Sequence, residues 1–450
     1  MLKKNEIITL KIDSLTSEAS GVGRHEGMAV FVHNAAPQEL VEAKIIKTSK
    51  NYAIGKIEQV LEPSPHRIQP DCPLFGRCGG CDYRHISYSA ELEAKEQRCR
   101  DALIRIGGIT AEVLPIIAAT EELRYRNKAQ FPISARPEGG ISMGFYARYS
   151  HRVIPCEDCL LQPKEFAAIA QAFKAWAEAA SISAYDEATG RGVLRHLYLR
   201  KGTATGEVMA CIVINAKNLP QSESLVEALR SSCHDIKSIQ ININRESGNV
   251  VLGNECRTLW GAGHINDVLC GVKLKLSPLS FYQVNRAQAE RLYKTAQAFA
   301  GLTGAEVLLD LYCGIGSIGL SMAAQAKALI GVEIIPQAVE NARENARTNG
   351  ILNAEFICAD AAQAAVQLKN RGITPDVIIA DPPRKGCSAE LLQTMAEMQP
   401  KRIVYVSCEP STLARDLKLL SELGYAAQKI QPVDMFPRTK HVECVALLQK

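Results

Sequence analysis

The chain has 450 residues, 47% hydrophobic content and a formal net charge of +4, enough length for about three domains, each with its own core. No run approaches the ~20 apolar residues of a membrane span, and Met1-Leu2-Lys3-Lys4-Asn5-Glu6 lacks the apolar segment of a signal peptide, so membrane-spanning and secreted classes are excluded and a cytoplasmic protein with no membrane contact is expected. The 15 cysteines, an odd number scattered along the chain, argue against a disulfide framework and for reduced thiols with a metal site.

Residues 1–60 place apolar side chains on alternate positions at Ile8-Leu10-Ile12, Met28-Val30-Val32 and Val41-Ala43-Ile45. This period predicts about five short strands closing an OB-like β-barrel of the kind that holds nucleic acid. Pro63-Ser64-Pro65 marks a linker.

Residues 61–270 read as a mixed α+β central domain. It opens with Cys72, Cys78 and Cys81 in C-x5-C-G-G-C, a turn-rich spacing suited to thiolate ligands around an inorganic core. A fourth ligand must come from elsewhere, and Cys159 is the candidate, with Cys156 as its rival. An iron-sulfur cluster is the expectation; tetrahedral zinc also suits a C-x2-C pair. A helix is predicted over Glu91–Ile106. Between Arg124 and Arg152 six cations face the single acid Glu138, with Tyr125, Phe131, Phe145, Tyr146 and Tyr149 interleaved. Cations neutralise phosphates and rings stack on bases, so this stretch is a candidate RNA-binding surface, extended by Arg191, Arg195, His196, Arg200 and Lys201.

Residues 271–450 alternate strands and amphipathic helices, the pattern of a doubly wound, Rossmann-like α/β sheet. Strands are predicted at 305–310, 328–332, 376–380 and 402–407, a helix from Pro336 to Gly350, and a final antiparallel pair near 426–433 and 442–448. The first strand runs into Asp310-Leu311-Tyr312-Cys313-Gly314-Ile315-Gly316-Ser317-Ile318-Gly319, a glycine-rich turn opening a helix, where such sheets bind nucleotide-like ligands. G-x-G-x-x-G alone also matches a dinucleotide site, with Glu333 on the ribose in either case. Asp310 before the loop and Asp381-Pro382-Pro383-Arg384 after a later strand favour S-adenosylmethionine over NAD. Lacking the Asn and aromatic of an amine methyltransferase's Asn-Pro-Pro-aromatic turn, the chain is suited to a carbon target.

Cys408 in Ser407-Cys408-Glu409-Pro410 follows the strand 402–407 and precedes a helix, which points its thiol at the cofactor edge of the sheet and near helix-end amides that lower a thiol's pKa. Thiolate addition to C6 of a uracil makes C5 nucleophilic enough to take a methyl group, and a base must then remove the C5 proton. Glu443 is the candidate base, with Glu409 and His441 as rivals.

These residues resemble the iron-sulfur RNA uracil-5-methyltransferases of the RumA/TrmA type, built from a TRAM domain, a central domain and a methyltransferase domain. The resemblance rests on Gly21-Val22-Gly23-Arg24, the C-x5-C-G-G-C group, Tyr125-Arg126-Asn127-Lys128, Gly144-Phe145-Tyr146, Phe281-Tyr282-Gln283-Val284-Asn285, Asp310 to Gly314, Asp381 to Arg384, Ser407 to Pro410 and His441-Val442-Glu443. It implies Cys408 as nucleophile, Glu443 as base, and Gln283, Tyr312, Ser317, Glu333, Asp360 and Asp381 as contacts to S-adenosylmethionine. It also implies a [4Fe-4S] cluster on Cys72, Cys78, Cys81 and Cys159, a segment near 90–115 packed on the methyltransferase domain, a monomer without an obligate protein partner, and 23S rRNA as substrate, with tRNA as the alternative. An iron-sulfur NAD oxidoreductase leaves Cys408 and Asp-Pro-Pro-Arg unexplained, and a non-catalytic RNA-binding protein leaves the Cys408 and Glu443 pair without a role.

Overall fold

The computed structural model describes residues 2–450. The N-terminal unit is a six-stranded sheet, with Ile7–Lys11 paired to Leu40–Thr48, and Met28–His33 lying between Tyr52–Glu62 and Gly21–His25. The alternation expected from sequence is realised: Ile8, Leu10, Ile12, Val30, Val32, Val41, Ala43 and Ile45 turn inward to one core. The sixth strand, Ser14–Leu15, is two residues long, too short to leave a periodic signal.

The central unit is a seven-stranded sheet in the order Val153–Pro155, Ile141–Tyr146, Lys128–Ala135, Leu194–Lys201, Val208–Ile214, Ile236–Ile243, Glu255–Gly261. Its core takes Phe166, Ile169 and Phe173 from the helix Lys164–Ala179 and Leu225 and Leu229 from the helix Ser222–Ser232. The hairpin Ile265–Leu269 and Val272–Leu276 straddles the division expected at residue 270. Ile265, Leu269, Leu274 and Leu276 pack in one core with Leu308 and Val404 of the last sheet and with Tyr198, Met209 and Cys211 of the central sheet, so the hairpin joins the two units.

The C-terminal sheet has eight strands in the order Ala354–Cys358, Ala328–Glu333, Val307–Leu311, Val377–Ala380, Arg402–Ser407, Glu443–Gln449, Ala426–Val433, Glu112–Val113. The first five are parallel, and Glu443–Gln449 runs antiparallel to its neighbours. Strand order reverses between Val307–Leu311 and Val377–Ala380, and the crevice beyond their carboxyl ends is where an open sheet of this type takes its ligand. Two early segments complete this unit. Glu112–Val113 adds an edge strand, and the helix Tyr88–Ala102, capped by Ser87, is tied to the C-terminal segment by Lys95, whose ammonium donates to Glu91 and Asp434 at 2.6 Å each. All three side chains of that triad are fully buried. Among the described residues no helix is long and apolar enough to cross a membrane.

Candidate active site

Register brings the two catalytic candidates together. Arg402–Ser407 pairs antiparallel with Glu443–Gln449 with Ser407 opposite Cys444, so the next residue on one strand, Cys408, stands beside the preceding residue on the other, Glu443. Val377–Ala380 flanks Arg402–Ser407 on the other side and delivers Asp381 to the same edge. Glu443 is buried; burial pushes its carboxyl up to about 8, the Asp381 charge adds to this, and the Arg384 guanidinium opposes it. Cys408 is half-buried. Its thiol is pushed up to about 11 by burial first and then by Glu443, with Arg384 pulling the other way. The sequence reading expected helix-end amides to lower this pKa; burial and two facing carboxylates outweigh them.

The two rival bases sit in different surroundings. Glu409 accepts two hydrogen bonds from Arg98, at 2.7 and 2.9 Å, and one from the Ser411 hydroxyl at 2.8 Å. Although burial pushes its carboxyl up, Arg98 and Ser411 together hold it below the ordinary range. His441 sits against Arg384, and burial and that charge bring its imidazole down to about 4. Arg384 thus acts on Cys408, Glu443 and His441 alike. Its place in Asp-Pro-Pro-Arg was the only signal for it in the sequence. Arg98 gave none, because its partner lies 311 residues away.

The crevice beside this pair is lined by acids. Asp310, buried, accepts from the Gly319 amide at 2.9 Å through one oxygen while the other has no partner. Burial raises its carboxyl to about 7, Gly319 opposes this, and Asp381 and Glu333 add to it. Burial also raises Asp381, to about 6. Glu333 accepts from the Gly314 amide at 3.1 Å and the Ile335 amide at 2.9 Å, which fixes its carboxylate across the mouth of the glycine loop. Ser317 is held by the Tyr293 hydroxyl at 2.8 Å, and Tyr312 turns the chain at φ 64°. Gln283 is buried, its carbonyl taking a hydrogen bond from Asn127 at 2.9 Å. Asp360 caps the helix Ala361–Asn370, one of its oxygens accepting from the amides of Ala362 and Gln363. A cluster of mutually repelling carboxylates, of which Asp310 is buried with one oxygen unpartnered, is suited to a ligand bearing cationic and hydroxyl groups, and S-adenosylmethionine carries both.

The five thiols Cys72, Cys78, Cys81, Cys156 and Cys159 line one cavity of about 80 Å³. The Arg84 Nε donates to Cys81 Sγ at 3.3 Å and the Gly80 amide to Cys78 Sγ at 3.4 Å. Gly79 donates to the Tyr146 carbonyl at 2.9 Å, and a Cβ on it would lie 3.2 Å from the Arg148 backbone, so the close approach of the two loops requires glycine. Among the described residues no three His, Cys, Asp or Glu side chains converge on one point as for a single metal ion; the sulfurs ring a space instead.

None of the six cations of the basic run is fully buried, but three of them are spent in ion pairs, so the run is not a row of free charges. Arg124 clamps Asp158, Arg136 pairs with Glu178, and Arg148 pairs with Asp82. Tyr125, Phe131, Arg195, His196 and Arg200 are buried. Strand pairing turns alternate members of such a run into the core, which a charge count cannot register. What remains outward is the hairpin tip, with Tyr149 80% exposed and Tyr146 stacked on His151 at 5.1 Å. This tip, Gly79-Gly80 and Thr439 to His441 enclose a cleft of about 710 Å³. A larger cleft of about 970 Å³, between the barrel and the helix Tyr88–Ala102, reaches Glu409 but not Cys408.

Residues 264–450 match the tRNA (uracil-5-)-methyltransferase family and residues 2–57 the TRAM domain. An RNA methyltransferase of Halalkalibacterium halodurans is 43% identical over 449 residues, covering 100% of this chain and 98% of the relative. The chain belongs to the RNA uracil-5-methyltransferase family. Another RNA methyltransferase, from Clostridium tetani, is 43% identical over 99% of this chain and 97% of its own length. Among solved structures, the Pyrococcus abyssi tRNA (uracil-54, C5)-methyltransferase in complex with S-adenosyl-L-homocysteine superposes with a TM-score of 0.79 at 29% identity, covering 98% of this chain and 99% of that one. Members of this family are S-adenosylmethionine-dependent RNA methyltransferases, and the acid-lined crevice lies in the sheet that the family shares.

Proposed function

We propose that the chain methylates C5 of uridine in 23S rRNA through a covalent bond between Cys408 and C6 of the target base. The observation that carries this reading is the register that sets Cys408 beside Glu443, a nucleophile and a base at one sheet edge. Loss of the Cys408 proton gives the thiolate that adds to C6, and the electron pair of the C5–C6 double bond moves toward C5 and O4. S-adenosylmethionine, when bound, supplies an electrophilic methyl group on a sulfonium. Glu443 then takes the C5 proton, the double bond re-forms and Cys408 leaves as thiolate. A carboxyl near 8 makes the ionised Glu443 a stronger base toward the C5 proton than an ordinary carboxylate, and activity should rise with pH as it ionises. Asp310, Asp381 and Glu333 hold the cofactor's cationic and hydroxyl groups, with Gln283, Tyr312, Ser317 and Asp360 as further contacts. The uridine must leave its stack to reach Cys408, and an RNA substrate puts this work in the cytoplasm.

The cysteine cavity is suited to a [4Fe-4S] cluster on Cys72, Cys78, Cys81 and Cys159, which would bind the thiol loop to the segment after the strand Val153–Pro155 and take no part in methyl transfer. Iron and sulfide content of C159S and C156S proteins tests the assignment: loss in C159S alone supports it, and loss in C156S alone moves the fourth ligand to Cys156. The presence of the cysteine group supports 23S rRNA. A second reading, a uridine of the tRNA T-loop, is favoured by the full-length likeness to the Pyrococcus abyssi tRNA enzyme. Transfer of labelled methyl to unmodified 23S rRNA and tRNA transcripts, with nuclease mapping, decides: label in 5-methyluridine of 23S rRNA supports the proposal, label only in tRNA replaces the substrate, and label in neither overturns the function.

A further inference from the structure

Beside the cleft at the hairpin tip lies a smaller cavity of about 280 Å³, at the low end of ligand-pocket size. The two share a wall, the stacked rings of Tyr146 and His151. The cleft itself reaches His441, which touches Arg384, the cation whose charge acts on Cys408 and Glu443, so the small cavity adjoins a cleft that opens on the neighbourhood of the candidate catalytic pair.

The charged groups around this cavity are already engaged. Arg195 donates to the Asn244 and Glu246 carbonyls at 2.9 and 2.8 Å and stacks over the Tyr185 ring at 4.5 Å. Asp186 accepts from Thr189, and Glu187 pairs with His151 at 2.7 Å. Among the buried polar groups of its lining, His196 is 8% exposed and its Nδ1 has no partner. Burial and the Arg195 charge bring its imidazole down to about 4, so the ring is neutral and can offer one donor or acceptor, not a charge. Ser134 adds a hydroxyl. Aromatic walls, a hydroxyl and an orphan neutral nitrogen, with no uncommitted cation, suit an uncharged planar heterocycle and not a phosphate.

We infer that this cavity is a second base pocket, which takes one unstacked nucleobase of the substrate RNA flanking the target uridine. The inference rests on the RNA-methylating function proposed above and adds a specificity site to it. A base held here, one wall away from the cleft, would fix the strand's register and so select which uridine reaches Cys408.

The test is an abasic scan. Substrate transcripts carrying a single abasic residue at successive positions around the target are titrated by fluorescence anisotropy, without cofactor, against native protein, Ser134→Trp, which fills the cavity, and Tyr185→Ala at its rim. Circular dichroism and thermal melting establish that each variant is folded, and two variants of opposite volume keep the test alive if one is not. One non-target position is expected to cost native protein about tenfold in affinity and to cost the variants nothing further, with kcat at saturating RNA changed less than twofold. The inference is overturned if each abasic position costs the variants as much as it costs native protein. It is also overturned if free nucleoside monophosphates protect the cavity while no position is coupled to it, since the ligand is then a free nucleotide. Failure of the function itself looks different: no transcript is methylated by native protein.

Discussion

Replacing Glu443 by Gln removes the largest charge that opposes ionisation of Cys408, and the pH at which the effect begins is set by the structure. Glu443 ionises near pH 8, so below about pH 7 it is neutral in the native protein and the Gln variant is electrostatically the same. Above pH 8 the native carboxylate appears and holds the thiol toward about 11, whereas in E443Q it does not. At pH 8 a thiol at about 11 is only ~0.1% thiolate, each pH unit being a factor of ten. A full return to the ordinary value of 9.0 would raise the thiolate fraction almost a hundredfold. Burial contributes more than Glu443 and is untouched, so the expected gain near pH 9.5 is about three- to tenfold. The assay is iodoacetamide alkylation of the protein alone, resolved at the Cys408 peptide by mass spectrometry over pH 6–10. Rate curves that coincide at low pH and diverge above pH 8, with E443Q faster, are predicted. Curves offset by a constant factor at all pH, or E443Q slower at high pH, would refute the electrostatic coupling on which the assignment depends. Methyl transfer by E443Q should fall at least ~100-fold above pH 8, where the native carboxylate is ionised, and by less toward low pH, where native Glu443 is itself protonated.

Three further outcomes follow from particular contacts. K95M leaves Asp434 as a buried carboxylate without its cation and Glu91 with only Arg438 at 3.8 Å, and should lower stability in urea by about 3–5 kcal/mol, while the triple variant K95M/E91Q/D434N recovers most of it. G319A puts a Cβ 2.7 Å from the Asp310 carboxylate and 2.8 Å from Leu329, so isothermal titration should show S-adenosylhomocysteine affinity reduced at least about tenfold. Arg384→Ala removes a charge that favours the ionised forms of both Cys408 and Glu443, so the rise of kcat/KM with pH should move to higher pH, with activity at pH 7 down about tenfold or more.

What could be read from the sequence was what local pattern encodes. Alternating Ile8, Leu10 and Ile12 announced a strand with one buried face, and Pro336 and the residues before Gly350 bracketed a helix found at Pro336–Thr348. Motifs at strand ends pointed to the crevice because an open parallel sheet gathers its carboxyl ends at one edge. What stayed hidden depends on partners distant in sequence. Lys95 looked like any helix-surface lysine until Asp434, 339 positions on, closed over it. Arg200 and His196 counted as surface charge until the strands on either side buried them. Cys408 beside a helix start suggested an activated thiol, and only its burial, with the charges of Glu443 and Asp381 added, turns the shift the other way, against the thiolate.

The central claim is a covalent bond from Cys408 to the target base, broken only after a proton leaves C5. A transcript carrying 5-fluorouridine at the target has no C5 proton to lose, so after methyl transfer the adduct cannot collapse. Native protein incubated with that RNA and S-adenosylmethionine is predicted to give a denaturant-resistant protein–RNA complex whose cross-linked peptide contains Cys408, and C408A none. Rapid methylation of the ordinary transcript with no trapped complex on the fluorinated one, or a complex of equal yield in C408A, would contradict it.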